Sequence, residues 1–141
     1  MTTAIQARKI AELMNRVARA RELLAPDVAT FLAERTTTEA LILNLFLALQ
    51  ASADLAMLAV GQHGLGVPGA PRDALTLLRD AGLLEVALAE RLSAAVGLRN
   101  RIAHQYGTLD LRRVYVAARD GLDDLDAFAR AVSLALESRA P

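Results

Sequence analysis

Apolar residues recur at helical spacing along almost the whole chain. Between Thr3 and Ala25, the residues Ile5, Ile10, Leu13, Val17, Leu23 and Leu24 follow a loose helical period, with Arg8, Lys9, Arg16, Arg19 and Arg21 between them. This predicts an amphipathic helix ending before Pro26 and Asp27. Pro26 suits the first turn of a short second helix to about Glu34, because a missing N–H costs nothing there; Arg35 is then a hinge. Thr36, Thr37, Thr38 and Glu39 read as a cluster of N-cap residues with an acid in the first turn. From Ala40 to Val60 the pattern changes, and Leu41, Ile42, Leu43, Leu45, Phe46, Leu47, Leu49, Leu55, Met57 and Leu58 leave no broad polar face.

That apolar stretch is also the length of a membrane span. Asn44, Gln50, Ser52 and Asp54 argue against one, since an Asp near the centre costs about 2.5–3.5 kcal/mol on insertion. The flanks lack the basic cluster or aromatic belt of a span. A helix with no polar face is more simply covered on one side by its own bundle and on the other by a second copy of the chain. The expectation is therefore a homodimer with no membrane association.

Gly61 to Pro71 reads as a loop. It spells G-x-G-x-x-G at Gly64, Gly66 and Gly69, but a dinucleotide site needs a strand before the glycines and a helix directly after them. Here a helix precedes and Pro68 intervenes, so the match is taken as a loop. Arg72 or Asp73 opens a short helix to Ala81, stopped by Gly82. Another begins near Glu85 and ends around Tyr106, with Gly107 as the stop. Thr108, Leu109 and Asp110 cap a last helix from Leu111 to about Glu137. The sum is an all-α, up-and-down helical bundle of about five main helices, dimeric, with residues 1–141 forming a single domain.

Composition sharpens this picture. Ala (29) and Leu (26) exceed a third of the 141 residues and favour helix. The absence of Cys rules out disulfides and thiolate metal sites, and two histidines, His63 and His104, leave little for an imidazole site. No metal and no cofactor are expected. Met1 to Arg8 carry no continuous apolar leader segment, which makes the cytoplasm the expected location. The 16 basic and 16 acidic residues balance, which excludes a uniformly basic nucleic-acid module. The signs are nevertheless segregated: residues 90–119 hold six Arg against two acids, a balance of +4, and residues 120–137 hold five acids against one Arg, a balance of −4. A basic face on a neutral protein is therefore possible.

Reactive side chains concentrate in one run, Leu98-Arg99-Asn100-Arg101-Ile102-Ala103-His104-Gln105-Tyr106. On a helix, Asn100 and His104 are stacked neighbours, and Arg99 and Tyr106 are nearly in register two turns apart. Arg99 and His104 lie about 140° apart, so they flank a cleft rather than share a stripe. Imidazole transfers protons near neutral pH and guanidinium grips phosphate, which together point to phosphate chemistry. The same residues also suit a helix C-terminus as simple partners of its dipole.

Arg99-x4-His104-x-Tyr106 resembles the R-x4-H-x-Y motif of HEPN-domain ribonucleases, and its context resembles HepT toxins of the HepT–MntA toxin–antitoxin systems. The likeness spans about residues 39–132. It includes Asp54, Gly64-Leu65-Gly66-Val67-Pro68, Arg72-Asp73-Ala74-Leu75, Gly97-Leu98-Arg99-Asn100-Arg101 and Tyr106-Gly107-Thr108-Leu109-Asp110. The first 35 residues add little to it, and Gly69-Ala70-Pro71 departs from bulkier residues in relatives. The resemblance implies a homodimer with two motifs facing across a cleft, cutting RNA without a metal. His104 would be the general base or acid, Arg99 the phosphate holder, Asn100 an orienting or phosphate-donating group, and Arg101 an RNA contact. It further implies neutralisation by an MntA-like nucleotidyltransferase that attaches AMP to Tyr106. HepT-like bundles also resemble non-catalytic subunits of small nucleotidyltransferases, which leaves open a chain that only presents Tyr106 to such an enzyme, or a purely structural helical dimer.

Overall fold

The computed structural model describes residues 2–138. Helix α1 (Ala4–Leu23) starts where Thr3 and Gln6 cap each other reciprocally, Thr3 accepting from the Gln6 N–H and Gln6 from the Thr3 N–H. Helix α2 (Val28–Ala33) is a single short piece. Its N-cap is Asp27, which accepts from the Thr30 N–H at 2.8 Å, so Pro26 lies outside the helix rather than in its first turn. The Asp27 carboxyl is held below its ordinary range, chiefly by that backbone hydrogen bond.

Helix α3 runs from Arg35 to Gln62. Arg35 is thus its first residue and no hinge, and the threonines lie in its first turn instead of capping it. Thr38 donates its hydroxyl to the Phe31 carbonyl, which fastens α3 to the end of α2 and accounts for the early start. At the other end α3 continues through Gly61, which the sequence pattern assigns to a loop. The loop itself is left by Gly64 and Gly66 at positive φ, 61° and 119°. Helix α4 (Pro71–Asp80) has Pro71 at its first position, and Gly82 at φ 76° turns the chain after it. Helix α5 (Val86–His104) stops two residues short of Tyr106, which begins a 3₁₀ turn, Tyr106–Thr108. Helix α6 (Leu111–Glu137) is capped by Asp110, as its spacing predicts.

Ion pairs and hydrogen bonds fix the directions. Lys9 reaches Asp54 and Arg16 reaches Asn44, so α1 and α3 are antiparallel. Gln62 donates to the carbonyls of Leu136 and Ser138, and the His63 ring meets the Ala135 carbonyl at 2.6 Å, so α3 and α6 end together and run parallel. Arg91 on α5 pairs with Asp124 on α6 at 3.0 Å, while the C-terminal end of α5 meets the start of α6, giving a second antiparallel seam. The four long helices α1, α3, α5 and α6 form an up-down-up-down bundle. Helix α4 crosses between the end of α3 and the start of α5.

The core is one cluster in which α3 is central: Leu41, Leu55, Ala48, Ala56, Ala59 and Val60 are fully buried. Leu13, Val17 and Ala20 of α1 and Val114, Leu122, Phe128 and Leu136 of α6 close over it. By length and hydropathy α3 passes for a membrane span, but here most of its apolar surface is the interior of the bundle. Its polar residues are each satisfied: Ser52 donates to the Ala48 carbonyl, and Asn44 donates to Ala40 and accepts from Arg16. Leu55→Ala should lower the unfolding free energy by about 2–5 kcal/mol, measured by urea denaturation; a loss below 1 kcal/mol would mean that α3 is not the packed centre.

Candidate active site

Helix α5 carries the motif to the open end of the bundle, where α3 and α6 begin. Arg99 is half-buried against α3. Its Nε and Nη2 donate to Gln50 Oε1 at 2.9 and 2.5 Å, its Nη1 donates to Asn100 Oδ1 at 3.1 Å, and its Cζ lies 5.5 Å from the centre of the Phe46 ring. A guanidinium over an aromatic face is held electrostatically as well as by packing. Gln50 is itself oriented: its Nε2 donates to Asp54 Oδ1 at 3.2 Å, and Asp54 Oδ2 accepts from Lys9 Nζ at 3.1 Å. The amide therefore turns its oxygen toward Arg99 because its nitrogen has a carboxylate to meet.

A polar chain of Lys9, Asp54, Gln50, Arg99 and Asn100 thus crosses three helices. Of these, Arg99 and Asn100 were legible as site residues, and Asp54 only as part of a resemblance. Gln50 and Lys9 were missed. Their signal in the sequence was Gln50 and Asp54 at i and i+4, facing one way on a helix otherwise apolar. Beside the chain lies a cleft of about 250 Å³ between α3 and α5, lined by Gln50, Asp54, Met57, Pro71, Arg99 and Asn100.

His104 is the last residue of α5. It is exposed, and among the described residues its ring has no hydrogen-bond partner. Asn100 sits one turn before it, but no hydrogen bond joins the two; the Asn100 oxygen is already engaged by Arg99, which leaves its NH₂ group turned outward. Tyr106 is 51% exposed. Because α5 ends at His104, Tyr106 is not two turns along the helix from Arg99, as an unbroken helix would place it. It stands in the 3₁₀ turn, closed by Thr108 N–H to Gln105 O at 3.1 Å and Leu109 N–H to Tyr106 O at 3.2 Å. The Arg35 guanidinium at the start of α3 is held above the ordinary arginine range, first by its hydrogen bond to Glu39 and least by the Tyr106 phenol.

The segregated charges are redistributed by the fold. Arg91 pairs with Asp124 and Arg119 with Asp120, acids that follow the basic stretch, and Arg113 pairs with Asp110 within it, so half of its six arginines are neutralised. Among the described residues, Arg99 and Arg101 have no carboxylate at ion-pair distance, and both flank Asn100. The result is a small cationic site with an unengaged imidazole, an amide donor and an exposed phenol within reach of one end of α5. Such a set can hold a phosphodiester and move protons at it.

Comparison with known proteins bears on the family and the fold. The profile of the Ribonuclease HepT-like family matches residues 13–132, which takes in most of α1. The mRNA nuclease HepT of Shewanella oneidensis is 32% identical over 120 residues, covering 85% of this chain and 90% of that protein. The structure is similar to that of a tri-AMPylated Shewanella oneidensis HEPN toxin in complex with an MNT antitoxin, with a TM-score of 0.85 at 30% identity, covering 94% of this chain and 99% of that one. It is also similar to a toxin–antitoxin MntA–HpeT complex solved as a tyrosine-to-alanine mutant, with a TM-score of 0.83 at 30% identity, covering 92% and 98% of the two chains.

If Gln50 is the anchor of Arg99, its Nε–H should give a protected, slowly exchanging NMR signal. Gln50→Leu should move that signal among those of the exposed arginines. Lys9→Met should leave it in place and change stability by less than about 1 kcal/mol, since the Lys9–Asp54 pair is partly exposed.

Proposed function

The chain belongs to the HepT-like ribonuclease family, and from that premise we propose how its site works and what acts on it. The protein is the toxin of a toxin–antitoxin pair, an RNA endonuclease whose relative is named as an mRNA nuclease. The observation that carries the assignment is the pairing of an exposed, unengaged His104 with an Arg99 clamped by Gln50 and Phe46. One residue is free to move protons; the other is fixed to hold charge.

The reaction needs no metal in this scheme. An RNA 2′-hydroxyl loses its proton to an imidazole and attacks the neighbouring phosphorus. The new 2′-O–P bond replaces the 5′-O–P bond, and the leaving 5′-oxygen takes a proton from a second imidazole. Two His104 side chains are supplied by a homodimer in which the motif ends of α5 face each other. The Leu43, Phe46, Met57 side of α3, left partly exposed in one chain, continues beside that cleft and suits such an interface. Arg99 offsets the charge that grows on the phosphate, as preorganised donors do, and the outward NH₂ of Asn100 adds a donor. Arg101 contacts the strand. Residues 1–141 act as a single domain, and the protein works in the cytoplasm with its RNA.

Regulation follows from Tyr106. An MntA-like nucleotidyltransferase attaches AMP by attack of the Tyr106 oxygen on the α-phosphorus of a nucleoside triphosphate, with pyrophosphate leaving. Each added AMP brings a phosphodiester anion beside Arg99 and Arg101, where it competes with RNA phosphate. This is a charge switch of the same kind as phosphorylation.

Three variants test this scheme. His104→Ala should lower the rate of RNA cleavage by about 10²–10⁴-fold, and Arg99→Met by about 10²–10³-fold, with the fold intact by circular dichroism. Tyr106→Phe should keep its toxicity in cells that also express the nucleotidyltransferase. A wild-type chain that is modified on Tyr106 yet cuts no RNA would instead be the non-catalytic partner of that enzyme.

A further inference from the structure

We propose that Arg72 of α4 and Arg101 of α5 form a second phosphate-binding subsite, over Gly97, that holds the RNA strand next to the phosphate being cut. The proposal rests on the ribonuclease reading and adds to it a residue from a helix outside the motif.

Gly97 is a helix-interior glycine, a position where alanine is ordinarily favoured. With no side chain of its own, it is overlain by two others. Arg72 Nη2 lies 3.5 Å and Arg101 Nη1 3.6 Å from where a Cβ of residue 97 would stand. By those two distances the guanidinium nitrogens are at most about 7 Å apart. Two cations so placed repel each other unless an anion joins them. None does: among the described residues, neither has a carboxylate at ion-pair distance. The Arg72 side chain makes one hydrogen bond, from Nη2 to the Ser93 carbonyl at 3.2 Å, which holds the guanidinium over Gly97 and leaves its other nitrogens without a partner among the described residues.

The contrast with nearby arginines is direct. Arg79 on α4 pairs with Asp80, Arg91 on α5 with Asp124, and Arg113 and Arg119 on α6 with Asp110 and Asp120. Glu90 lines the same α4–α5 groove as Arg72 yet pairs with neither cation. Arg99 and Arg112 also lack a carboxylate at ion-pair distance, but the two unpaired guanidinium groups that converge on one point are those over Gly97.

That face adjoins the reacting groups. At 100° per residue, Asn100, His104, Gly97 and Arg101 follow one another within about 100° around α5, and Gly97 lies about 10 Å before His104 along its axis. Arg99 itself stands about 160° from Gly97 around the helix, so a strand whose scissile phosphate rests between Arg99 and Asn100 crosses His104 before it reaches Gly97. Guanidinium is the side chain best matched to phosphate oxygens, and two of them converging from different helices bind one phosphate with defined geometry.

The test uses the full-length protein in the His104→Ala background, which binds RNA without cutting it. The affinity for a single-stranded RNA oligonucleotide is measured across a range of KCl. Each phosphate contact contributes about 0.7 to the slope of log K against log salt. Arg72→Gln and Arg101→Gln should each weaken binding and flatten the slope by about that amount. Arg19→Gln, which removes a charge paired with Glu22 on α1, should change neither. Arg72→Lys, which keeps the charge, should retain the slope while losing some affinity. If the parent binds RNA and both Gln variants bind it with the same slope and affinity, the subsite is refuted and the ribonuclease reading stands. If the parent shows no salt-dependent RNA binding at all, the reading and the subsite fall together. The Arg101 side chain is exposed and makes no hydrogen bond within the described residues; a flatter slope in Arg101→Gln with an unchanged one in Arg72→Gln, folded by circular dichroism, would leave Arg101 as a lone contact and refute the subsite.

Discussion

The burial of α3 is the constraint from which the rest of the structure follows. A 28-residue helix without a polar face cannot stand at a surface, and α1, α4, α5 and α6 are arranged to cover it. Coverage is incomplete on one strip, where Phe46, Gln50, Asp54 and Met57 follow one another at helical spacing. That strip receives the guanidinium of Arg99, with Phe46 beneath it and Gln50 at its edge. The same packing that buries the core thus leaves a seat that holds the Arg99 guanidinium in place.

The end of α5 divides the labour among the motif residues. Arg99 lies within the helix and is rigid. His104 closes the helix and faces solvent, and Tyr106 has left it for a 3₁₀ turn. The rigid member suits charge stabilisation, where preorganisation matters most. The terminal member suits proton transfer to a substrate that arrives from outside. The exposed phenol in the turn suits the proposed modification by another protein, which would reach it without unfolding the bundle.

Much of this was legible in the sequence. The helical period placed the helices of the bundle, and the Arg99 to Tyr106 run drew attention to the end of α5. What escaped were matters decided by particular side-chain contacts, some local and some distant in sequence. The start of α3 at Arg35 depends on Thr38 meeting the Phe31 carbonyl, and the role of Gln50 depends on Lys9 and Asp54, which lie 45 residues apart. The early end of α5 depends on Thr108, whose N–H and hydroxyl both turn back to the Gln105 carbonyl and close a tighter turn than the helix. The charge segregation was visible, but not its fate: Arg91 and Asp124 neutralise each other across 33 residues, and only the fold shows which arginines remain for an anion.

The central claim is that imidazole and guanidinium groups cut RNA through its own 2′-hydroxyl. Its most direct test is the chemistry of the ends produced in the presence of EDTA from an RNA and from the same RNA carrying a 2′-deoxy nucleotide at the cut site. The account predicts a 2′,3′-cyclic phosphate and a 5′-hydroxyl from the first, and no cleavage at that position in the second. Cleavage that stops in EDTA, leaves a 3′-hydroxyl, or proceeds past the deoxy position would contradict it.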